Sequence, residues 1–326
     1  MKGFLSCAIG MAMLNAAAAS AGTFDGNWIG QIPPSGSCRA MATMTITVSG
    51  DAVSGLMHNS PRNIRAFKGT IDADGNATFT TELGHPGTIK FTADHFDANW
   101  NSGDCQRHSL GDRAPDAAQI AALIERRHQA QLSYDELTAR AAAGDKSVDF
   151  TALRSNFPFT RQWDAYDSNV SSILEQAKTA ANGKDCATAL EKLEEVLKAD
   201  YTLITAHRLR ADCLSGDAAR LESRVADGLM RSLTHGGDGR SESSAYPVMS
   251  RHEESDLLAD KHILIKTRDV EVRGSNGRFY DVVHGFALNN GVREQDVYFD
   301  VSTEVTGRSS AMAAKEAAAT AQAALQ

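Results

Sequence analysis

Between residue 22 and about residue 110, short strand-forming stretches alternate with turn signals; beyond Pro115 the spacing becomes helical. That change of period constrains the fold most. Side chains alternate faces along a strand but return to one face every three or four residues along a helix, so one pattern cannot serve both. The strand-like segments are 27–32, 42–48, 53–57, 65–71, 77–82 and 88–92. Between them stand Pro33-Pro34-Ser35-Gly36, Ser49-Gly50-Asp51, Asp74-Gly75-Asn76, Pro86-Gly87 and Ser102-Gly103-Asp104. Many short strands with such punctuation predict a small antiparallel barrel or sandwich. The run Asp72–Asn76 has its glycine in fourth place and Leu83 in twelfth, unlike a calcium loop, so it reads as a hairpin turn.

The second part reads as helices followed by strands, an α+β arrangement. Asp116 is placed to cap a helix, Ser133-Tyr134-Asp135-Glu136 has the form of a capping box, and Gly144 is a helix stop. Further helices are expected over 149–156, 164–182, 185–199, 201–214, 217–234 and 253–259. An antiparallel meander follows over 262–273, 278–288 and 295–302, with Ser275-Asn276-Gly277 as its first turn. The expected divisions are a signal peptide at 1–21, an all-β domain at 22–112, a helical connector at 113–145, an α+β domain at 146–306 and an alanine-rich tail at 307–326.

Lys2, the apolar run from Gly3 to Leu14 and the small residues Ala19 and Ala21 before Gly22 form a secretory signal, with cleavage expected between Ala21 and Gly22. The mature chain is therefore expected in a bacterial periplasm or outside the cell, without stable membrane insertion. With Lys2 removed, its balance of 41 acidic against 32 basic residues argues against nucleic acid or an anionic membrane as partner. Cys7 leaves with the signal. The domain division then pairs Cys38 with Cys105, and Cys186 with Cys213. The second pair lies at matching levels of a folded-back helix pair over 185–214, as a disulfide requires. Neither Cys-x-x-Cys nor a four-ligand zinc pattern accompanies it.

That helix pair resembles a tetratricopeptide-type hairpin through Ala189-Leu190, Asp200 at the corner, Ala206-His207 and Gly216-Asp217. A wider series includes Asp149–Arg154 with Phe157, Gly237-Asp238-Gly239, Ala245-Tyr246-Pro247-Val248, Glu253-Glu254 with Leu257, Tyr280-Asp281 and Tyr298-Phe299-Asp300-Val301. With it, residues 145–303 resemble an uncharacterised bacterial exported family, domain of unknown function 4919. The resemblance implies a fold and an exported location but no activity.

The sequence has no nucleophile elbow, zinc helix, phosphate loop or dinucleotide fingerprint. Its richest polar cluster is His235, Asp238, His252, Glu253 and Glu254, suited to proton transfer or metal binding, although acidic residues at 253–254 also suit a helix start. His207 sits among apolar helix positions and reads as a core histidine. Asp281 and Asp300 read as surface or rim residues beside the core aromatics Tyr280 and Phe299.

The preferred reading is an exported binding or protein-interaction module, with no cofactor or metal expected and a protein, peptide or small envelope ligand as partner. Its candidate binding residues are His207, His235, Asp238, His252, Glu253, Glu254 and Asp281. One alternative is an envelope hydrolase or metal-dependent enzyme using the His235/Asp238/His252/Glu253 cluster. Another is a small-ligand or lipid carrier using a cavity in the β domain.

Overall fold

A computed structural model of the chain describes residues 23–32, 42–60, 63–163, 168–288 and 291–311, with the side chains of 59, 60 and 168 excepted. Residues 1–21, where a signal peptide is expected, and Cys38 lie outside the described residues. The chain divides into two compact units, residues 1–115 and 116–326.

The first unit is a closed barrel of eight antiparallel strands in chain order: β1 (Gly26–Ile32), β2 (Ala42–Ser49), β3 (Ala52–Ser60), β4 (Asn63–Ile71), β5 (Asn76–Thr81), β6 (Pro86–Phe91), β7 (His95–Ser102) and β8 (Cys105–Arg113). β8 closes on β1, with Gly30 opposite Gly111. The expected turn at 72–76 forms: Asp72 Oδ1 accepts from the backbone nitrogens of Asp74 at 3.0 Å and Asn76 at 2.8 Å, and Gly75 takes φ +80°.

β7 and β8 go beyond the six expected strands. β7 alternates correctly through Phe96, Ala98 and Trp100, but its Asp and Asn residues mimic a loop. β8 places Arg107 and Ser109 at buried positions, so its apolar alternation is missing.

The barrel interior is a packed aromatic core. Phe67 and Phe79 have ring centroids 4.8 Å apart, and Trp28 meets Phe91 at 5.0 Å. Glycine makes room for these rings: a Cβ on Gly87 would lie 2.3 Å from the Phe79 ring, and one on Gly111 equally close to Phe96. Eight strands give an interior that side chains can fill, and here they do.

The second unit begins with α1 (Ala117–Ala142), capped by Asp116 in a reciprocal box with Gln119. Ser133 does not start a helix, as its capping-box pattern suggested; it lies inside this 26-residue helix and accepts a hydrogen bond from Asn156. Then come α2 (Phe150–Asn156), α3 (Ser168–Asn182), α4 (Cys186–Ala199), α5 (Ile204–Cys213), α6 (Gly216–Thr234) and α7 (Arg251–Asp260). Cys186 and Cys213 form a disulfide with Cα atoms 5.1 Å apart, joining α4 to α5. Cys105 is also disulfide-bonded.

The sheet of this unit has four strands, not only the expected three-strand meander. β10 (Ile263–Arg273), β11 (Phe279–Ala287) and β12 (Arg293–Asp300) are antiparallel, and β9 (Tyr246–Pro247) adds a short parallel strand beside β12. Two residues with a proline carry too little pattern to be read from sequence. A final helix, α8, covers 302–311. Glu304, Arg308 and Ser310 on it are buried, so the packed chain runs past the expected boundary at 306. Residues 312–326 lie outside the described residues. Among the described residues no helix is long and apolar enough to cross a membrane.

Candidate functional site

The residues singled out from sequence do not assemble into one centre. Glu253 is buried against Arg154, whose guanidinium donates to both carboxylate oxygens at 2.6 and 2.7 Å and to the Pro247 carbonyl at 2.7 Å. Glu253 also accepts from Met249 N at 2.8 Å, tying the start of α7 to the chain before it. Glu254, one residue on, faces Arg268 on β10, with Nη1 2.5 Å from Oε2. His207 is buried, its ring nitrogens at 2.6 Å from Glu222 and 2.9 Å from the Tyr201 carbonyl. Asp238 is exposed and accepts from Ser244 Oγ at 2.6 Å, the main reason its carboxyl lies below its ordinary pKa. His235 is exposed at the end of α6, and His252 is half-buried 3.4 Å from Ser171 Oγ. Among the described residues, no group of three or more His, Cys, Asp or Glu is arranged to hold a metal ion.

Asp281 and Asp300 correct the expectation of a rim position: both are buried. Alternation does send Asp281 and Tyr280 to opposite faces, but both faces are covered there. Asp281 accepts from Glu271 N at 2.7 Å, supporting the positive φ of +52° at Glu271.

Around Asp281 the second unit buries an ionic network that the sequence reading missed. Arg308 reaches Glu271 at 2.5 Å and Glu304 at 3.1 Å, while Arg268 contacts Glu254 and lies 3.8 Å from Asp281. Burial pushes Glu304 up to about 7, with Arg308 opposing and the carboxylates of Glu271 and Asp281 adding to the rise. Burial likewise raises Glu254 well above its ordinary value, with Asp281 adding and Arg268 opposing. Charges this deep persist only when paired, so the network reads as internal bracing.

The accessible feature lies along β12. Val301 N donates to the Phe279 carbonyl, which sets the phase of the β11–β12 ladder. In that register Arg293, Gln295, Val297 and Phe299 turn their backbone groups toward β11, while Glu294, Asp296, Tyr298 and Asp300 turn theirs outward. Tyr298 N is taken by the Gly239 carbonyl at 2.8 Å, and the Asp300 carbonyl by Val248 N at 3.1 Å. β9 ends there, because the chain before Tyr246 turns through a 3-10 segment at Glu242–Ser244. The backbone groups of Glu294 and Asp296 are left without a strand partner among the described residues.

A pocket of about 630 Å³ borders this open edge, with Arg240, Tyr246, Lys261, Arg293 and Tyr298 among its lining residues. Its acids are already matched: Glu294 with Lys266 at 3.1 Å, Asp296 with His284 at 2.7 Å and Asp238 with Arg240 at 3.5 Å. Lys261 lies over the Tyr246 ring at 5.2 Å. Arg293 is exposed and has no ion-pair partner among the described residues. Of these residues only Asp238 was among the sequence candidates; the open edge depends on where β9 stops, which no local pattern reports.

No family model, curated protein or solved structure matches the chain.

Proposed function

We propose that the protein is an exported binding module that takes extended peptide segments along the open edge of β12. The observation that carries this reading is the outward-facing backbone at Glu294 and Asp296 beside the 630 Å³ pocket. An added strand would continue the track that β9 occupies for two residues, gaining main-chain hydrogen bonds there, with alternate side chains meeting Tyr246, Tyr298 and the basic rim. Because the rim acids are matched by Lys266, His284 and Arg240, the ligand that fits carries a carboxylate for Arg293. The Cys186–Cys213 disulfide suits an oxidising compartment and supports the periplasmic or secreted assignment. The tetratricopeptide-like hairpin and the resemblance of residues 145–303 to an uncharacterised exported family belong to the same reading. The packed barrel interior favours binding on surfaces over carriage inside the barrel.

Panning a random-peptide library on the full chain, followed by titration of the enriched peptides, tests this. The expected winners are acidic and lose binding when their backbone nitrogens are methylated. Glu294→Pro removes an N–H that faces away from β11, so it should abolish capture while keeping the ladder. Arg293→Glu should weaken capture at least ~tenfold, since a charge-assisted pair becomes a repulsion. Equal capture by both variants would overturn the reading.

A further inference from the structure

The outer wall of the barrel carries a second concave surface, of about 580 Å³, within the first unit. Its chemistry differs from that of the β12 pocket. Thr70, Thr78, Thr88 and Asn99 stand directly opposite one another on β4, β5, β6 and β7, forming one row across four strands. Thr80 and Asn101 flank this row. Three inter-strand gaps of about 4.8 Å make the row roughly 14 Å long.

Lys68 is the one charged residue of the lining, on a chain with 74 charged Asp, Glu, Lys and Arg side chains (41 acidic and 33 basic). Thr70, Thr78, Thr80, Thr88 and Asn101 are exposed, and their side chains have no hydrogen-bond partner within the protein among the described residues. Their hydroxyl and amide groups therefore face solvent and are available to a ligand. Gly69, Phe79, Gly87 and Trp100, whose positions alternate toward the barrel interior, complete the lining between the outward side chains.

A charged ligand would find one cation in the lining, and the carboxylate at the end of the row, Asp97, is already held by Asn99 at 2.7 Å and His108 at 3.1 Å. An apolar ligand would strand a dense set of donors and acceptors. A neutral molecule rich in hydroxyls matches both facts, since each threonine or asparagine can donate and accept. The volume lies in the range of small-molecule sites, and the row is long enough for several sugar rings. We infer that this groove of the barrel binds a neutral oligosaccharide across strands β4 to β7.

The test is calorimetric titration of the full chain with maltotetraose, cellotetraose and chitotetraose, with pentaglycine as a neutral peptide control. Saturable binding of at least one tetrasaccharide, with none of pentaglycine, is expected. The double variant Thr88→Val, Asn101→Ala removes exposed groups only; it should keep its circular dichroism spectrum and lose affinity at least ~tenfold. Arg293→Glu, in the other unit, should leave sugar binding unchanged. The inference falls if none of the three sugars binds saturably at millimolar concentration. It also falls if the double variant binds as tightly as the parent, or if pentaglycine binds in place of the sugars.

Discussion

The two units fill their interiors in opposite ways. The barrel buries mainly rings: Trp28, Phe67, Phe79, Phe91, Phe96 and Trp100 meet across its centre, and Arg107 is the one buried charged side chain among its described residues. The second unit buries charge as well, with Arg154, Glu253, Glu254, Asp256, Asp281, Glu304 and Arg308 all under a tenth exposed. Apolar burial is non-directional and nearly independent of pH. Buried ion pairs are directional, tolerate the loss of one partner badly and respond to protons. One chain thus holds a unit braced by shape beside a unit braced by charge geometry, and each should fail under a different perturbation.

The largest effects should come from removing a principal brace in each. Arg154→Met leaves Glu253 buried without its guanidinium and should destabilise the second unit by about 3–5 kcal/mol. Phe96→Ala empties part of the barrel centre and should destabilise the first by about 3–5 kcal/mol. Amide exchange, read unit by unit, checks both; a loss of protection spread evenly over the chain would break the contrast.

Reducing the Cys186–Cys213 bridge should cost the second unit about 3 kcal/mol, because its 27-residue separation leaves a long loop free in the unfolded chain. Urea unfolding of a Cys186→Ala, Cys213→Ala variant measures this. An unchanged midpoint would mean that helix packing alone holds α4 to α5.

The pH response should separate the units next. Burial pushes Asp200 up to about 7, with the Thr202 hydrogen bonds opposing and Glu253 and Asp256 adding; Glu304 reaches a similar value. Both acids bind protons more tightly folded than unfolded. Their contribution is therefore fully present below about pH 4 and is lost as pH rises through about 7. The loss is on the order of 3 kcal/mol for each group. Exchange protection in the second unit should fall between pH 5 and pH 7.5 while the barrel changes less. Glu304→Gln, a neutral isostere of the protonated acid, should change stability at pH 5 by less than ~1 kcal/mol and flatten the slope. A steeper slope in the variant would remove Glu304 as its source.

Local signals carried much of the architecture. Strand alternation and glycine turns marked six of the barrel strands, and the cap at Asp116 marked where the first helix begins. The period change at Pro115 matches the division between the units. Cys186 and Cys213 were legible as a pair because helix geometry relates their spacing to their level.

What the sequence alone determined was thus local: periods, turns, caps and the place where one regime yields to the next, all set by neighbours a few residues apart. Tertiary structure alone decided the rest. It closed β8 onto β1, buried Asp281 and Asp300 by covering both faces of the sheet, and drew Arg154 to Glu253 across 99 positions. It also began β9 only at Tyr246 and so left the edge of β12 open at Glu294 and Asp296. Each of these depends on which distant segments meet, and the free energy of a buried charge or an unpaired backbone group is set by those neighbours rather than by the residues beside it in the chain.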